Sequence, residues 1–523
     1  MYEEKLDIND SLRKSAFLVN YFGNIKLEKE VTLQNLLLID DIPLWEIISP
    51  ELAHSFFPKV LASKGPPSSI DKLKSNIASI RFFLKKRKIS IITQSPKVFS
   101  SQKKTCLFLG FTEQMYRDVL HPLLINLDNK KEFNLLTLRN QKRSQYEDLF
   151  TPQCKFDSIW NYYDKKIEDE YHKILSSIKN IKPSIRSLKK FIKSLPNDLS
   201  YLEDHFIILF NYLFDYYLKE IVLHAILARK ILKLHRPKIV ISPDMADSRS
   251  RIYSFLSRSL KIKSLDIQFG LAGNEAVEWI FFASDFVAVW GLAAKKILME
   301  YGVSDSKIKI TGSPRHDFNF KLNLNELISL RKKNGVKAHQ KLLILASTYS
   351  LETHERYSNP NLLIEMKKSI FRAITRNRNI FLLVKPHPCE NTSELKKLIG
   401  NSKNISIIDK KNDIRDLIAI CDFFISFGST ATLDALIAEK VTILPIFQGW
   451  IFSEIFKNSG SAIIIESDEG MQKLMANISS GKNIKSSTIS NARKVFLKHM
   501  ICQSKKSSVT KVSNLIFKII KDN

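Results

Sequence analysis

The chain has only five cysteines and 15 glycines among its 523 residues. The cysteines are scattered and form no Cys-x-x-Cys pair, which argues against a disulfide framework or a structural zinc site. Gly-x-Gly-x-x-Gly, Walker A and Gly-x-Ser-x-Gly motifs are all missing. No Asp-x-Asp pair occurs, so the sequence does not indicate a metal-chelated nucleotide. We therefore predict neither a metal site nor a cofactor.

Long uninterrupted hydrophobic runs are also missing. The most apolar stretches, 202–232 and 279–292, both contain charged residues, so neither is predicted to cross a membrane. The first residues lack the charged and then apolar order of a signal peptide. Together with the unpaired cysteines, these observations predict a cytoplasmic protein.

Positive charge dominates, with 81 Lys and Arg against 53 Asp and Glu and a formal net charge of +28. Nucleic acid, anionic lipid and phosphorylated substrates all suit such a charge. The lysines are spread along the chain rather than gathered in one tract, so a lysine-rich composition without functional meaning is one interpretation. A basic face for anionic lipid at the inner membrane surface, or for an anionic substrate, is the other. Nucleic acid is not predicted as a partner.

Strand candidates alternate with helical segments in the second half of the chain, which favours an α/β fold with doubly wound parallel sheets. Two earlier strands are predicted near residues 106–109 and 133–138. The later candidates are 239–242, 264–268, 286–290, 308–311, 342–346, 380–385, 405–408, 423–426, 441–444 and 462–465. These strands are too many for one comfortable sheet, so we predict two Rossmann-like domains that face each other across a cleft.

The domain boundaries follow from this pattern, with a hinge near 319–324. The predicted parts are a helical accessory region 1–104, an N-terminal Rossmann-like domain 105–322 with a helical insertion 157–235, and a C-terminal Rossmann-like domain 323–523. A final helix over 509–520 is expected to cross back to the first domain.

Two strand ends in the predicted C-terminal domain carry polar turns. The apolar run 382–384 leads into Lys385-Pro-His387-Pro, and 423–425 leads into Gly428-Ser429-Thr430 before a helix. Parallel sheets bring such turns together at the carboxyl edge, and a helix start attracts anions. We predict a phosphate site for a nucleotide here, although a plainly capped helix is the structural alternative.

Further candidate residues lie near the same turns or in the first domain. Asp434, on the predicted phosphate-binding helix, is placed to accept hydrogen bonds from ribose hydroxyls. The alternative is an acid in the first turn that interacts favourably with the helix dipole. Arg315, Ser347 and Thr348 are candidates for phosphate or base contacts, with an exposed linker arginine as the alternative for Arg315. Asp244, Asp247 and Glu275 are the acids placed to deprotonate an acceptor hydroxyl, unless they are cap or turn acids.

Several of these segments, taken in order, carry a resemblance to a known superfamily. The segments are Gln268-x-Gly270, Val289-Trp-Gly291, Thr311-Gly-Ser-Pro-Arg315, Lys385-Pro-His-Pro388 and Ser426-x-Gly-Ser-Thr430. The chain resembles the two-Rossmann (GT-B) glycosyltransferases of bacterial surface and capsular polysaccharides. Within them it is most similar to the group of CDP-glycerol glycerophosphotransferases, polysialyltransferases and capsular Kdo transferases, over about residues 106–441.

The resemblance implies a function and roles for single residues. The C-terminal domain would bind a nucleotide-activated sugar or glycerol donor, and the N-terminal domain a glycan or lipid-linked acceptor. His387 matches the His-Pro motif that aids departure of the donor phosphate, and Ser429 and Thr430 match the phosphate-binding turn. Gln268 and Gly270 match a substrate-binding segment in which many relatives have histidine where this chain has Phe269.

Two other functions stay open. A non-hydrolysing UDP-N-acetylglucosamine 2-epimerase shares the two-Rossmann frame, and the stretch 353–356 (Thr-His-Glu-Arg) faintly resembles an epimerase segment, which makes His354 and Glu355 secondary candidates. A basic, non-enzymatic scaffold that binds nucleic acid or membrane is the second alternative. It would show steeply salt-dependent binding and no affinity for nucleotide sugars.

Overall fold

The computed structural model of the chain forms two compact units. The first unit comprises Asn9–Arg315 and Ser504–Asn523, and the second comprises Met1–Ile8 and His316–Gln503. The residues described are 8–24, 26, 31–57, 95–100, 102–139, 150–151, 153–182, 203–271, 277–317, 322–349, 361–450, 454–484, 487–502 and 506–522. Glu275, His354, Glu355 and the first half of the predicted hinge, 319–321, therefore lie outside the described residues.

The first unit is built on a seven-stranded parallel sheet. A two-stranded antiparallel hairpin, β1 (Leu38–Ile39) with β2 (Ile42–Pro43), precedes it in the chain. The sheet strands are β3 (Thr105–Leu109), β4 (Asn134–Arg139), β5 (Cys154–Ser158), β6 (Ile239–Ser242), β7 (Lys263–Ile267), β8 (Phe286–Val289) and β9 (Ile308–Ile310). Their order across the sheet is β5-β4-β3-β6-β7-β8-β9.

The second unit is built on a six-stranded parallel sheet in the order β12-β11-β10-β13-β14-β15. Its strands are β10 (Lys341–Ala346), β11 (Ile380–Lys385), β12 (Ile405–Ile407), β13 (Phe423–Ser426), β14 (Val441–Pro445) and β15 (Ile463–Ile465). The central strands are apolar apart from single end residues such as Lys341, Lys385 and Ser426, because helices cover both faces of a parallel sheet.

Both sheets have the doubly wound strand order, in which the chain starts at a central strand, moves to one edge and then returns to fill the other. The order reverses between β3 and β6 in the first unit and between β10 and β13 in the second. Ligands of such sheets bind beyond the carboxyl ends of the strands that flank this switch point. The topology therefore marks one edge of each unit as a candidate site.

Helices of the first unit pack on its sheet, and several begin at a residue whose side chain caps them, such as Asp164 and Asp247. The α-helices are Ile8–Gly23, Leu33–Leu36, Leu44–Glu51, Glu113–Met115, His121–Lys130, Lys165–Ile181, Glu203–Tyr212, Leu218–His235, Ser248–Ser259, Leu292–Glu300 and Ser508–Lys521. Short π-helical turns occur at Leu52–Phe56, Tyr116–Leu120 and Leu213–Tyr217, and 3-10 turns at Ile159–Tyr162, Val277–Phe281 and Asp305–Lys307. Val512 and Ile516 of the final helix are buried in the core of this unit.

Helices of the second unit follow the same principle. Leu324–Lys333 begins with a full capping box, in which Asn323 and Glu326 each bond the other's backbone N–H. The remaining helices are Leu362–Thr375, Thr392–Ile399, Ile414–Ile420, Thr430–Ile437, Glu454–Lys457, Asp468–Ser479 and Ser487–Met500. A 3-10 turn, Pro314–His316, contains the division between the two units.

The prediction of an α/β fold with two parallel sheets is confirmed. Every predicted strand is found, and none of its ends differs from the prediction by more than one residue. The strand β5 was not predicted, so the helical segment expected from residue 157 overlaps the end of a strand. The N-terminal region also contains the hairpin β1–β2 beside its helices. Among the described residues, no helix is both long and apolar enough to cross a membrane.

Candidate functional site

Three strand ends of the second unit lie at the same level. In the sheet register, Ala346 of β10 pairs with Lys385 of β11 on one side and with Ser426 of β13 on the other. The turns that follow these strands therefore leave the sheet side by side, at the point where the strand order reverses. We call these turns, Ser347–Tyr349, Pro386–Glu390 and Phe427–Thr430, the switch-point edge.

The turn after β13 has a conformation that favours glycine. Gly428 has a φ of 89°, in the left-handed region that side chains with a Cβ rarely adopt. Ser429 is exposed and extended, and Thr430 starts the helix Thr430–Ile437. A hydrogen bond of 2.8 Å between the hydroxyls of Ser426 and Thr432 ties the strand to this helix. The free N–H groups of the helix start and its positive dipole end suit an anion.

His387 is held by its own turn. Its Nδ1 accepts a hydrogen bond of 3.2 Å from the backbone N–H of Cys389, so the neutral ring carries its proton on Nε2. The ring lies against Tyr349, with the two ring centroids 4.8 Å apart. Burial lowers the pKa of His387, Lys385 and Lys410 lower it further, and Glu390 opposes them. A neutral imidazole with Nε2–H can donate a hydrogen bond to a phosphate oxygen.

Glu390 organises this edge. Its Oε1 accepts from Lys367 Nζ at 2.6 Å and from Ser347 Oγ at 2.8 Å, and its Oε2 accepts from the backbone N–H of His387 at 3.1 Å. One buried carboxylate thus connects the end of β10, the helix Leu362–Thr375 and the turn after β11. Neither Glu390 nor Lys367 was among the residues predicted from the sequence.

Lys385, the lysine of the predicted phosphate site, donates its hydrogen bonds to backbone carbonyls. Lys385 is buried, and its ammonium donates to the carbonyl of Lys410 at 2.7 Å and to that of Pro386 at 3.1 Å. Lys410 in turn donates to the carbonyls of Pro388 and Glu390. The two ammonium groups fix the shape of the turn and add positive potential beside it.

Two other predicted residues of the second unit differ in their surroundings. Thr348 lies on the switch-point edge, and its carbonyl accepts a hydrogen bond from Lys367. Asp434 is fully buried in the helix Thr430–Ile437, with its Oδ1 3.2 Å from Nε2 of His316. The structure thus brings Ser347, Thr348, His387 and the turn 428–430 together at one edge of the sheet. The carboxylate of Asp434, in contrast, is buried beside the side chain of His316.

In the first unit, Asp244 follows the end of β6 beside the switch point of that sheet. Its Oδ1 accepts a hydrogen bond of 2.8 Å from the backbone N–H of Ala246. Burial and the nearby carboxylates of Asp247 and Glu278 raise the pKa of Asp244 to about 7. A carboxylate with this pKa is matched to proton transfer at neutral pH.

The predicted residues Gln268, Gly270 and Arg315 make contacts within the first unit. Gln268 Oε1 accepts from the backbone N–H of Trp290 at 2.8 Å, and its Nε2 donates to the carbonyl of Gly270 at 2.9 Å. A Cβ added to Gly270 would meet nothing within 4 Å, so packing does not require glycine there. The guanidinium of Arg315 forms a buried ion pair with Asp118 at 2.6 Å.

No metal centre is evident in the part of the chain that the structure describes, where no three His, Cys, Asp or Glu side chains are grouped so that they could hold an ion.

The comparisons with known proteins agree with this fold. The family model described as CDP-Glycerol:Poly(glycerophosphate) glycerophosphotransferase matches residues 285–440, which include the whole switch-point edge. No curated protein matches the chain.

Solved structures give broader coverage at low identity. Staphylococcus aureus MnaA in complex with UDP matches with a TM-score of 0.50 and 10% identity over 80% of this chain and 97% of that one. A putative UDP-N-acetylglucosamine 2-epimerase from Listeria monocytogenes matches with a TM-score of 0.50 and 10% identity over 81% of this chain and 98% of that one. A glycosyltransferase from Rickettsia africae matches with a TM-score of 0.47 and 14% identity over 81% of this chain and 99% of that one. At this identity the likeness to the two structures with a TM-score of 0.50 shows the fold alone, which is that of the GT-B proteins.

Proposed function

We propose that this chain is an enzyme of the GT-B glycosyltransferase type, because residues 285–440 match the CDP-glycerol glycerophosphotransferase family model and the fold is that of the GT-B proteins. The enzyme transfers a sugar, or a glycerol phosphate, from a nucleotide-activated donor to a surface-polysaccharide acceptor. The acceptor is a glycan or a lipid-linked precursor. The capsule is one destination of such a product.

The observation that carries this proposal is the alignment of Ala346, Lys385 and Ser426 in the sheet register. This alignment brings the His387 turn and the Gly428–Thr430 turn to one edge at a switch point, where doubly wound sheets bind nucleotides. The helix start at Thr430 would bind the donor phosphate, with the hydroxyls of Thr348 and Ser429 as further donors. The hydroxyl of Ser347 already donates to Glu390 and would support this edge from beneath. Asp434, with its carboxylate beside His316, would support the phosphate helix from within.

The chemistry is a direct displacement. The acceptor oxygen forms a bond to the transferred group while the bond from that group to the nucleotide phosphate oxygen breaks, and the nucleotide leaves with the electron pair. Asp244 takes the proton of the acceptor hydroxyl, with Glu275 as the second candidate from the sequence. His387 donates its Nε2–H to the departing phosphate, whose charge the helix start and the nearby lysines stabilise. No metal is assigned to this step.

Peripheral contact with anionic membrane at the cytoplasmic face is part of the proposal. The net charge of +28 supports it, as does the helix Leu324–Lys333, where Leu324 and Ile328 are 68% and 55% exposed and the last turn is basic. Exposed apolar side chains beside lysines suit a lipid surface. Flotation with vesicles that contain anionic lipid, against neutral vesicles, tests this part. Co-flotation with the anionic vesicles alone is expected, and a Leu324→Ser/Ile328→Ser variant should lose it.

The enzyme is tested with a panel of CDP-, CMP- and UDP-activated donors. Thermal stabilisation by one donor class is expected because a bound ligand stabilises the folded state. Product analysis then follows, with and without an acceptor extract. An epimerase would convert UDP-N-acetylglucosamine without any acceptor, and this arm matters because the Listeria structure is described as such an epimerase. Stabilisation by no nucleotide, together with salt-sensitive binding to nucleic acid, would favour the basic scaffold.

A further inference from the structure

A cavity of about 480 Å³ opens in the first unit. Its walls come from the helix Leu44–Glu51 and the turn after it, from residues 217–224, from the segment that follows β6, and from the 3-10 turn Val277–Phe281. The volume lies within the range of small-ligand sites. No part of the cavity belongs to the switch-point edge described above.

The cavity lies where the topology of the first unit predicts a ligand. Strand β6 flanks the reversal of strand order, and Asp244, Ala246 and Asp247, which follow it, line the cavity. The guanidinium of Arg249 lies 4.9 Å from the ring centroid of Phe111, which follows β3 on the other side of the reversal. Arg249 of the cavity wall thus contacts the segment that follows the other flanking strand, so the cavity lies beside the switch point, where doubly wound sheets bind ligands.

The charges that line the cavity are mostly negative, although the whole chain carries +28. Five carboxyl groups line it, those of Glu51, Glu220, Asp244, Asp247 and Glu278. The one arginine, Arg249, is already engaged, since its Nε lies 2.9 and 3.2 Å from the two carboxylate oxygens of Asp247. A phosphate or carboxylate would be repelled here, most strongly above pH 7, where Glu51 and Asp244 are ionised too, whereas hydroxyl groups would find carboxylate acceptors.

We propose that this cavity binds the uncharged, hydroxyl-bearing terminal residue of the acceptor, a sugar or polyol, and excludes a terminal phosphate. The inference rests on the proposed function, because it takes Asp244 as the group that receives the acceptor's proton. It adds the chemical class of the acceptor end and assigns specificity to Glu278 and Glu220, which no sequence motif indicated.

Glu51 is the positioning residue of this cavity. Its carboxylate accepts from the hydroxyl of Tyr217, which lies 2.9 Å from Ser248 Oγ, and the hydroxyl of Ser248 is 3.4 Å from Glu51 Oε2. Three side chains from three segments are thereby connected at one wall. The helix Leu44–Glu51 therefore contributes a wall to the acceptor site that we propose.

The test uses the full-length chain with the stabilising nucleotide present at saturation, so that the nucleotide site is filled. Saturation-transfer NMR and competition then compare methyl glycosides and glycerol with glucose 6-phosphate and glycerol 3-phosphate. We expect a neutral probe to bind at least tenfold more tightly than its phosphorylated partner. Equal or tighter binding of the phosphorylated probe, or binding of no neutral probe, overturns the proposal.

Two variants test the assignment of specificity. Glu278→Gln and Glu220→Gln keep side-chain shape and remove charge, so each should narrow the ratio of neutral to phosphorylated affinity several-fold. Glu300→Gln, at an exposed acid of the same unit, should leave the ratio unchanged. If the ratio of neutral to phosphorylated affinity is unchanged in all three variants, the proposed specificity of this cavity is also overturned. Nucleotide stabilisation of the parent chain reports separately on the proposed function, so the two ideas fail by different measurements.

Discussion

The ammonium of Lys367 lies 2.6 Å from Oε1 of Glu390, and both side chains are almost completely buried. A buried ion pair of this kind is not by itself evidence of stabilisation, because desolvation opposes the attraction. The same carboxylate, however, also accepts from Ser347 and from the backbone of His387. We infer that this ion pair fixes the position of the turn at Ser347 relative to the turn at His387.

The first prediction separates stability from positioning at this pair. Lys367→Met alone leaves the buried carboxylate of Glu390 without its counter-ion and should cost about 3–5 kcal/mol of unfolding free energy. The double variant Lys367→Met/Glu390→Leu should recover much of that loss, but not transfer activity, because Ser347 and His387 lose their acceptor. Denaturation curves and transfer assays measure the two effects. Lys457→Met, in an exposed ion pair, is the control. Recovery of turnover together with stability would mean that the pair is only structural.

The second prediction concerns His387. His387→Ala should reduce transfer by roughly 10²-fold or more while the unfolding temperature changes little, because the ring supplies one donor to the leaving phosphate. His339→Ala, at an exposed histidine of the same unit, is the matched control. A His387→Ala enzyme that keeps turnover within a few-fold of the parent would assign the ring to the shape of the turn alone.

The third prediction concerns the Gly428–Thr430 turn. Nucleotide should bind in the presence of chelator, and Thr430→Ala should weaken binding by roughly 1 kcal/mol through loss of one hydroxyl donor. Gly428→Val should abolish binding. Gly481→Val introduces the same backbone strain at another positive-φ glycine with open space around it, and should leave binding intact. Calorimetry decides the matter, and loss of binding in chelator would contradict the metal-free site.

Much of the fold could be predicted because buried parallel strands are short apolar runs that end in polar turns. The strand β5 escaped prediction because it is an edge strand interrupted by Lys155 and Asp157, and its Asp157 accepts hydrogen bonds from Lys97, Asn161 and Tyr162 that the sequence does not reveal. The position of the three turns of the switch-point edge could be predicted from the strand ends. Glu390 and Glu51 could not, because their roles depend on partners 23 residues and 166 residues away in the chain.

The fourth prediction tests whether Gln268 binds substrate or supports the sheet. Because its amide accepts from the buried backbone N–H of Trp290, Gln268→Met should cost about 1–3 kcal/mol of stability. Tryptophan fluorescence should shift as well, while the KM for the acceptor stays unchanged for the folded fraction. Gln102→Met, at an exposed position of the same unit, is the control. A raised KM with unaltered stability would instead support the substrate contact predicted from the sequence.

The last prediction concerns the pH dependence of stability in the first unit. Burial and neighbouring acids, first among them Asp247, raise the pKa of Glu51 and of Asp244 to about 7, from ordinary values of 4.5 and 3.8. Between these values the folded state binds more protons than the unfolded one, so the free energy of unfolding falls as the pH rises through this window. Arg249 lowers the pKa of Glu51, whereas Glu220 raises it further. Glu278 raises the pKa of Asp244 further.

The double variant Glu51→Gln/Asp244→Asn removes both titrating groups and should flatten this dependence. Relative to the parent, it should gain about 2 °C or more in unfolding temperature on going from pH 5 to pH 8. Thermal unfolding at matched ionic strength measures the change, with Glu300→Gln as a control that should follow the parent at every pH. A double variant that also follows the parent would show that Glu51 and Asp244 titrate in their ordinary range. Asp244 would then lack the neutral-range pKa that suits it to receive a proton from the acceptor.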